Sequence, residues 1–335
     1  MRRLLCLPLL VLAVGFVPLH SQQHDDALVQ PVVALWLLTA RLSGNAQSNL
    51  DSLLAPGAKV ELVKDGFQFT EGPMCGNRGS IYFTDIPRNQ ICRINTTGEP
   101  TLTVVHENTN GANGLFMKPD GVIVAACGSA GKIVAFNQDK SQKVIAEKFG
   151  DKPLNRPNDL TVAKDGRIYF TAPGARPMPV QTLDQKPSVH LVKPDGTVLL
   201  LDDTVARPNG ILLSLDEKQL FVANSMGADV LVYEVQADGT VKNRRTFGTL
   251  KDTQPNNSGA DGMCLDQQGN LYVTSSSGVQ VFNARGQHVG TIAVPKKPSN
   301  VAFAGVADRK TLYITAQDSV FKLRMNVEGP KERAK

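Results

Sequence analysis

The chain has 335 residues, 41% apolar and 20% charged, with Gly 29 and Pro 20, and its lysines and arginines exceed its acids by 36 − 31 = +5. That much apolar material can build a large core, while the glycine and proline content signals many turns and one large all-β domain. The cations are scattered, with no basic run interleaved with aromatics, which argues against a nucleic-acid partner and makes the small positive excess a solubility feature.

The opening MRRLLCLPLLVLAVGFVPLHSQQ places Arg2 and Arg3 before an apolar stretch from Leu4 to Leu19, broken by Pro8 and Pro18. This reads as a secretory signal peptide over residues 1–21, which directs the mature protein to the periplasm or outside the cell. The stretch falls short of the roughly 20 residues that a bilayer span needs, so the mature chain is expected to have no stable membrane span. Residues 22–56 form an N-terminal extension whose apolar patch, Val32 to Leu38 around Trp36, is also too short to span. Cys6 leaves with the leader. Cys75, Cys92, Cys127 and Cys264 stay, an even number that permits disulfides in an oxidising compartment. Their spacing fits no zinc or redox motif, and Cys75, Cys127 and Cys264 sit in or beside apolar strand-like segments where buried thiols are common.

One phrase then recurs six times: a turn with Gly, Asp or Lys, followed by an alternating strand rich in β-branched and aromatic residues. The copies are GNRGSIYFTD, KPDGVIVAAC, AKDGRIYFTA, SLDEKQLFVAN, DQQGNLYVTS and ADRKTLYITA, beginning at Gly76, Lys118, Ala163, Ser214, Asp266 and Ala307. A spacing of roughly 40 to 50 residues is that of a four-stranded propeller blade, so six copies predict a six-bladed β-propeller over residues 57–326. Period-two segments between the copies, among them QICRIN, KIVAFN and VLVYEV, supply outer strands. AKVELVK, from Ala58, is placed to pair with the last blade and close the ring. Residues 327–335 form a polar tail.

A second recurring feature precedes those strands. The phrases FTEGPM, NGANGLFM, NRPNDLTV, ARPNGILL, GADGMCLD and KPSNVAF each stand where the innermost strand of a blade would begin. They offer Glu71, Asn113, Asn158, Asn209, Asp261 and Asn300 as a ring of oxygen donors about the axis, with no histidine or cysteine at the equivalent place. Such donors suit a hard divalent cation, and a ring of amides and carboxylates suits calcium with its loose geometry better than magnesium, with Zn2+ and Mn2+ as substitutes.

On these residues the chain resembles the family of gluconolactonase, senescence marker protein (regucalcin) and luciferin-regenerating enzyme, from about Lys59 to Arg324 and in the motif order EGP, NG, PND, PNG, DGM. The resemblance implies a propeller with one central metal, ligated by Glu71, Asn158, Asn209 and Asp261, with Asn113 and Arg156 contacting substrate. It also implies two departures. Cys75 stands where the family carries an aromatic after EGP, and Ala172 where the third blade carries an acid, so the substrate pocket is expected to differ in its wall. Asp159 either orients the neighbouring Asn158 amide or faces solvent in a turn.

The chemistry expected from this set is metal-assisted hydrolysis of a lactone-type ester, with Asp261 as general base or metal-coupled nucleophile and Arg156 binding a hydroxyl or carboxylate through its forked donors. A phosphotriesterase on the same scaffold and a non-catalytic binding propeller are the alternatives. All five histidines, His20, His24, His106, His190 and His288, lie outside the ring phrases, although His106 is close enough to Asn113 to require a structural check. There is no G-x-S-x-G elbow, and Ser275 to Ser277 follow a repeat strand as ordinary turn serines.

Overall fold

The computed structural model describes residues 50–174, 186–254 and 256–331; the leader, Trp36 and most of the N-terminal extension lie outside the described residues. A single helical turn, α1 (Leu50–Leu53), precedes strand β1 (Glu61–Lys64). Blade 1 follows as β2 (Thr70–Cys75), β3 (Ile81–Asp85), β4 (Gln90–Ile94) and β5 (Leu102–Glu107). Blade 2 is β6 (Ala112–Met117), β7 (Ile123–Cys127), β8 (Lys132–Phe136) and β9 (Gln142–Ala146). A small hairpin, β10 (Lys148–Phe149) with β11 (Lys152–Pro153), leads to blade 3: β12 (Leu160–Val162), β13 (Ile168–Ala172), β14 (Ser188–Val192) and β15 (Val198–Asp202). Blade 4 is β16 (Pro208–Leu213), β17 (Gln219–Asn224), β18 (Asp229–Val235) and β19 (Val241–Thr249). Blade 5 is β20 (Met263–Leu265), β21 (Leu271–Ser275), β22 (Gly278–Phe282) and β23 (His288–Ile292). Blade 6 comprises β24 (Asn300–Ala304), β25 (Thr311–Ala316) and β26 (Ser319–Arg324), with β1 paired to β26 as its outermost strand.

Each blade is a four-stranded antiparallel sheet in this order, and the first strands neighbour one another in a closed circuit, β2, β6, β12, β16, β20, β24 and back to β2. The ring is therefore closed by the segment from Ala58, which joins the two ends of the propeller chain through backbone hydrogen bonds. The repeated phrases form the second strands. β7, β13 and β21 are buried along their whole length because each is covered by blades on both faces, which is why they read as almost continuous apolar runs. The core lies between blades: Met74 and Ile91 of blade 1 pack with Phe116 and Phe136 of blade 2 and Phe170 of blade 3. Each such side chain contributes about 1.5–3 kcal/mol by leaving water.

The packed unit reaches beyond residues 57–326 at both ends. Leu53 is buried against the last two blades, and the Asn326 N–H donates to its carbonyl at 2.8 Å. Val327 is buried as well, and Glu328 accepts the Gln267 N–H through its carbonyl at 2.8 Å. Among the described residues no helix is long and apolar enough to cross a membrane. Cys75, Cys92, Cys127 and Cys264 are all buried and none is disulfide-bonded. Burial pushes the Cys92 and Cys127 thiols up to about 12.

Candidate metal and substrate site

Three of the six ring phrases share a backbone irregularity. In blade 1 the pairing of β2 with β3 steps from Glu71↔Thr84 to Met74↔Tyr82, which inserts one extra residue on the inner strand. The same insertion lies between Ala112 and Leu115 in blade 2 and between Pro208 and Ile211 in blade 4. A bulge of this kind bends a strand and re-aims the side chain at the bend. Here the re-aimed residues are Glu71, Asn113 and Asn209.

The glycine after each of these residues serves close approach between blades. A Cβ on Gly72 would sit 2.0 Å from the Asn113 carbonyl oxygen, one on Gly114 would sit 2.2 Å from Asp159 Oδ1, and one on Gly210 would sit 2.2 Å from the Asp261 carbonyl oxygen. On Gly262 it would meet Asn300 Cγ at 1.8 Å. Threonines of the repeat phrase complete the circuit: Thr84 Oγ1 donates to the Asn113 carbonyl at 3.2 Å and Thr171 Oγ1 to the Asn209 carbonyl at 2.6 Å. Blade 2 has Ala126 at that position, and there the Gly114 N–H donates to the Asn158 carbonyl at 2.8 Å.

Glu71, Asn113, Arg156, Asn158, Asn209 and Asp261 all line one cavity of about 370 Å³ at the starts of the inner strands. The four residues expected to ligate a metal and the two expected to contact substrate thus share one cavity. That volume lies within the range of small-ligand pockets. Asn300, the sixth member of the sequence ring, is turned into the wall. Its Oδ1 accepts the Val301 N–H at 2.9 Å and its Nδ2 donates to Glu71 Oε2 at 2.9 Å, so it steadies the glutamate and offers no oxygen to the cavity. Glu71 is 4% exposed, and its Oε2 also accepts the Gly72 N–H at 2.7 Å. Asp159 is 1% exposed with Oδ1 accepting the Leu160 N–H at 2.9 Å, which excludes the solvent-facing turn.

The donor set fits a hard cation on one detailed observation. Ser225 Oγ donates its only proton to the Ala260 carbonyl at 2.6 Å, and the same oxygen accepts from Asn209 Nδ2 at 3.0 Å. That fixes the orientation of the amide. Asn209 Oδ1 is left buried without a hydrogen-bond partner, as is Asn113 Oδ1. A buried acceptor in that condition costs about 1–3 kcal/mol unless something electropositive meets it. Among the described residues no group of three or more His, Cys, Asp or Glu side chains converges as a metal site, and the set here has only two carboxylates, completed by amides.

Several features fall elsewhere. His106 packs on Phe136 at 5.2 Å between centroids and lines a different cavity, and burial and the nearby Lys140 charge lower its pKa. His190 stacks on Phe170 at 5.0 Å within blade 3. Cys75 lines a separate cavity of about 640 Å³ with Met117 and Val162, which are the far ends of the inner strands. The residue expected to alter the pocket wall therefore stands at the opposite mouth, because β2 carries it the length of the blade away from Glu71. Ala172 is fully buried and its successors Pro173 and Gly174 line the ring cavity instead. Arg207 also lines the cavity, 7% exposed, and the sequence reading passed over it although Arg207-Pro208-Asn209 repeats the tripeptide Arg156-Pro157-Asn158.

A closed ring of six blades with carboxylates and amides gathered at one mouth defines an axial-site β-propeller. Residues 69–318 match the family described as SMP-30/Gluconolactonase/LRE-like region, and the chain belongs to that family. A gluconolactonase of Zymomonas mobilis is 28% identical, covering 91% of this chain and 97% of its own length. Regucalcin of Xenopus laevis is also 28% identical, over 77% of this chain and 86% of its own. Among solved structures, a gluconolactonase of Xanthomonas campestris superposes with a TM-score of 0.72 at 27% identity, over 82% of this chain and 92% of its own. A calcium-binding regucalcin from Agrobacterium tumefaciens shares the fold, with a TM-score of 0.68 at 19% identity, over 82% of this chain and 96% of its own.

Proposed function

We propose that this protein is a metal-dependent lactonase, a hydrolase of lactone-type esters resembling the gluconolactonases among its relatives. The observation that carries the reading is the single cavity that gathers Glu71, Asn158, Asn209 and Asp261 with Asn113 and Arg156. Glu71, Asn158, Asn209 and Asp261 would hold one divalent cation, for which calcium is the best match to two carboxylates and two amide oxygens. When bound, that ion supplies Lewis-acid polarisation of a carbonyl and acidifies water. The chain's own groups do the rest. Asp261 is partly exposed at the cavity and takes the proton of the attacking water at its carboxylate. Glu71, buried and held by Gly72 and Asn300, keeps its geometry and acts as a fixed ligand. Asn113 and the fork of Arg156 bind the hydroxyl or carboxylate oxygens of the substrate and orient the ring. Support for calcium comes from the chemistry of the donor set and from a calcium-binding structural neighbour.

The test is a hydrolysis screen over aldonolactones, aromatic lactones and organophosphates, with and without chelator, on protein analysed for metal. Lactone cleavage lost on chelation and restored by calcium is the expected result. Cleavage of organophosphates alone points to the phosphotriesterase reading. No hydrolysis of any class by metal-loaded protein overturns the enzyme reading.

A further inference from the structure

Among the described residues, the formally charged ones lining the ring cavity are Glu71, Asp261, Arg156 and Arg207. Their charges cancel, and they come from different blades: the carboxylates from blades 1 and 5, the arginines from the approaches to blades 3 and 4. Once the two carboxylates are engaged by a divalent ion, these four side chains and the ion together carry two positive charges in excess. A concave site walled by protein focuses such a potential and favours an anion.

Both arginines are placed by their backbones. Arg207 has its N–H bound to Asn224 Oδ1 at 3.1 Å, and its carbonyl accepts the Ser225 N–H at 3.0 Å. Arg156 adopts a left-handed φ of 55°, unusual for a residue with a Cβ, and its N–H donates to the Leu154 carbonyl at 2.9 Å. Each is followed by proline and then by a candidate amide ligand, so the same Arg-Pro-Asn phrase supplies the cavity with one arginine two residues before Asn158 and another two residues before Asn209. Guanidinium forks match carboxylate and phosphate oxygens in the bidentate manner that hydroxyl groups cannot exploit as strongly.

We infer that the natural substrate is a lactone bearing its own anionic group, a carboxylate or a phosphate, and that Arg207 together with Arg156 selects it. This rests on the lactonase reading above. The experiment compares kcat/KM for a neutral aldonolactone, a carboxylate-bearing aldarolactone and a phosphorylated aldonolactone, in the native protein, Arg207→Gln and Arg156→Gln. Calorimetric titration with an open-chain aldarate gives a readout independent of turnover, and thermal melting confirms that each variant folds. One charged lactone is expected to be preferred at least about tenfold, with that ratio falling at least about tenfold in Arg207→Gln, the loss expected for a charge-assisted hydrogen bond. The arm that is preferred identifies carboxylate or phosphate. Equal use of neutral and charged lactones, or a preference that survives both substitutions, overturns the inference and leaves the lactonase reading standing. Aldarate binding that depends on Arg207, with no lactone hydrolysed, sinks the lactonase reading and upholds the anion site.

Discussion

Ser225→Ala separates what orients the site from what merely fills it. The hydroxyl makes two hydrogen bonds, to the Ala260 carbonyl at 2.6 Å and from Asn209 Nδ2 at 3.0 Å, at a position 3% exposed. Its removal leaves a buried donor and a buried acceptor each short of one partner, and at about 1–3 kcal/mol for each such group the variant should lose about 2–6 kcal/mol of stability. The second consequence is local to the site. With Ser225 gone, nothing in that pair of bonds forbids the Asn209 amide from turning over and presenting Nδ2 where Oδ1 stood. Calcium affinity should then fall at least about tenfold, or about 1.4 kcal/mol. Urea unfolding of the metal-free protein measures the first effect and calorimetric calcium titration the second. A variant that loses stability yet binds calcium within about twofold of the native protein would refute the orienting role and reduce Ser225 to a structural link.

Asp261→Asn keeps the shape of the residue and removes its charge and basicity, so lactone turnover should vanish while the melting temperature changes little; undiminished turnover eliminates Asp261 as the base. Gly210→Ala drives a methyl toward the Asp261 carbonyl oxygen, 2.2 Å from the ideal Cβ, and should cost about 2–3 kcal/mol by urea titration; a neutral result would show that the blades 4 and 5 can part without penalty. His190 gives a pH signature. Burial lowers its pKa from 6.5 to about 4, so above about 6.5 the ring is neutral in both folded and unfolded chains. Between about 6.5 and about 4 only the unfolded chain takes up the proton, and stability declines through that window by up to about 3 kcal/mol. Unfolding curves at pH 7 and pH 5 should converge for His190→Gln; an unchanged pH dependence would assign the loss to other groups.

The propeller was legible because its second strands are buried on both faces and therefore repeat nearly the same apolar phrase, IYFT in Ile81–Thr84 and again in Ile168–Thr171. The ring residues were legible because the close approach of the next blade needs a glycine after each of them, leaving Glu71-Gly72, Asn113-Gly114, Asn209-Gly210 and Asp261-Gly262 as a visible series. What stayed hidden depends on partners distant in the chain. Asn300 reads as another ring amide until its hydrogen bond to Glu71, 229 residues away, turns it into a support. Ser225 carries no motif, and its part is set by Ala260 across a blade boundary. Cys75 follows EGP by two places, yet a strand separates successive residues by about 3.3 Å, so four residues along β2 carry it from the mouth holding Glu71 toward the other.

The proposed chemistry requires one ion among Glu71, Asn158, Asn209 and Asp261. Anomalous diffraction from crystals grown with manganese or calcium tests it directly. A single strong peak bounded by those four side chains is the expected result. A map with no peak there, or with its only peak at another mouth or surface of the propeller, contradicts it.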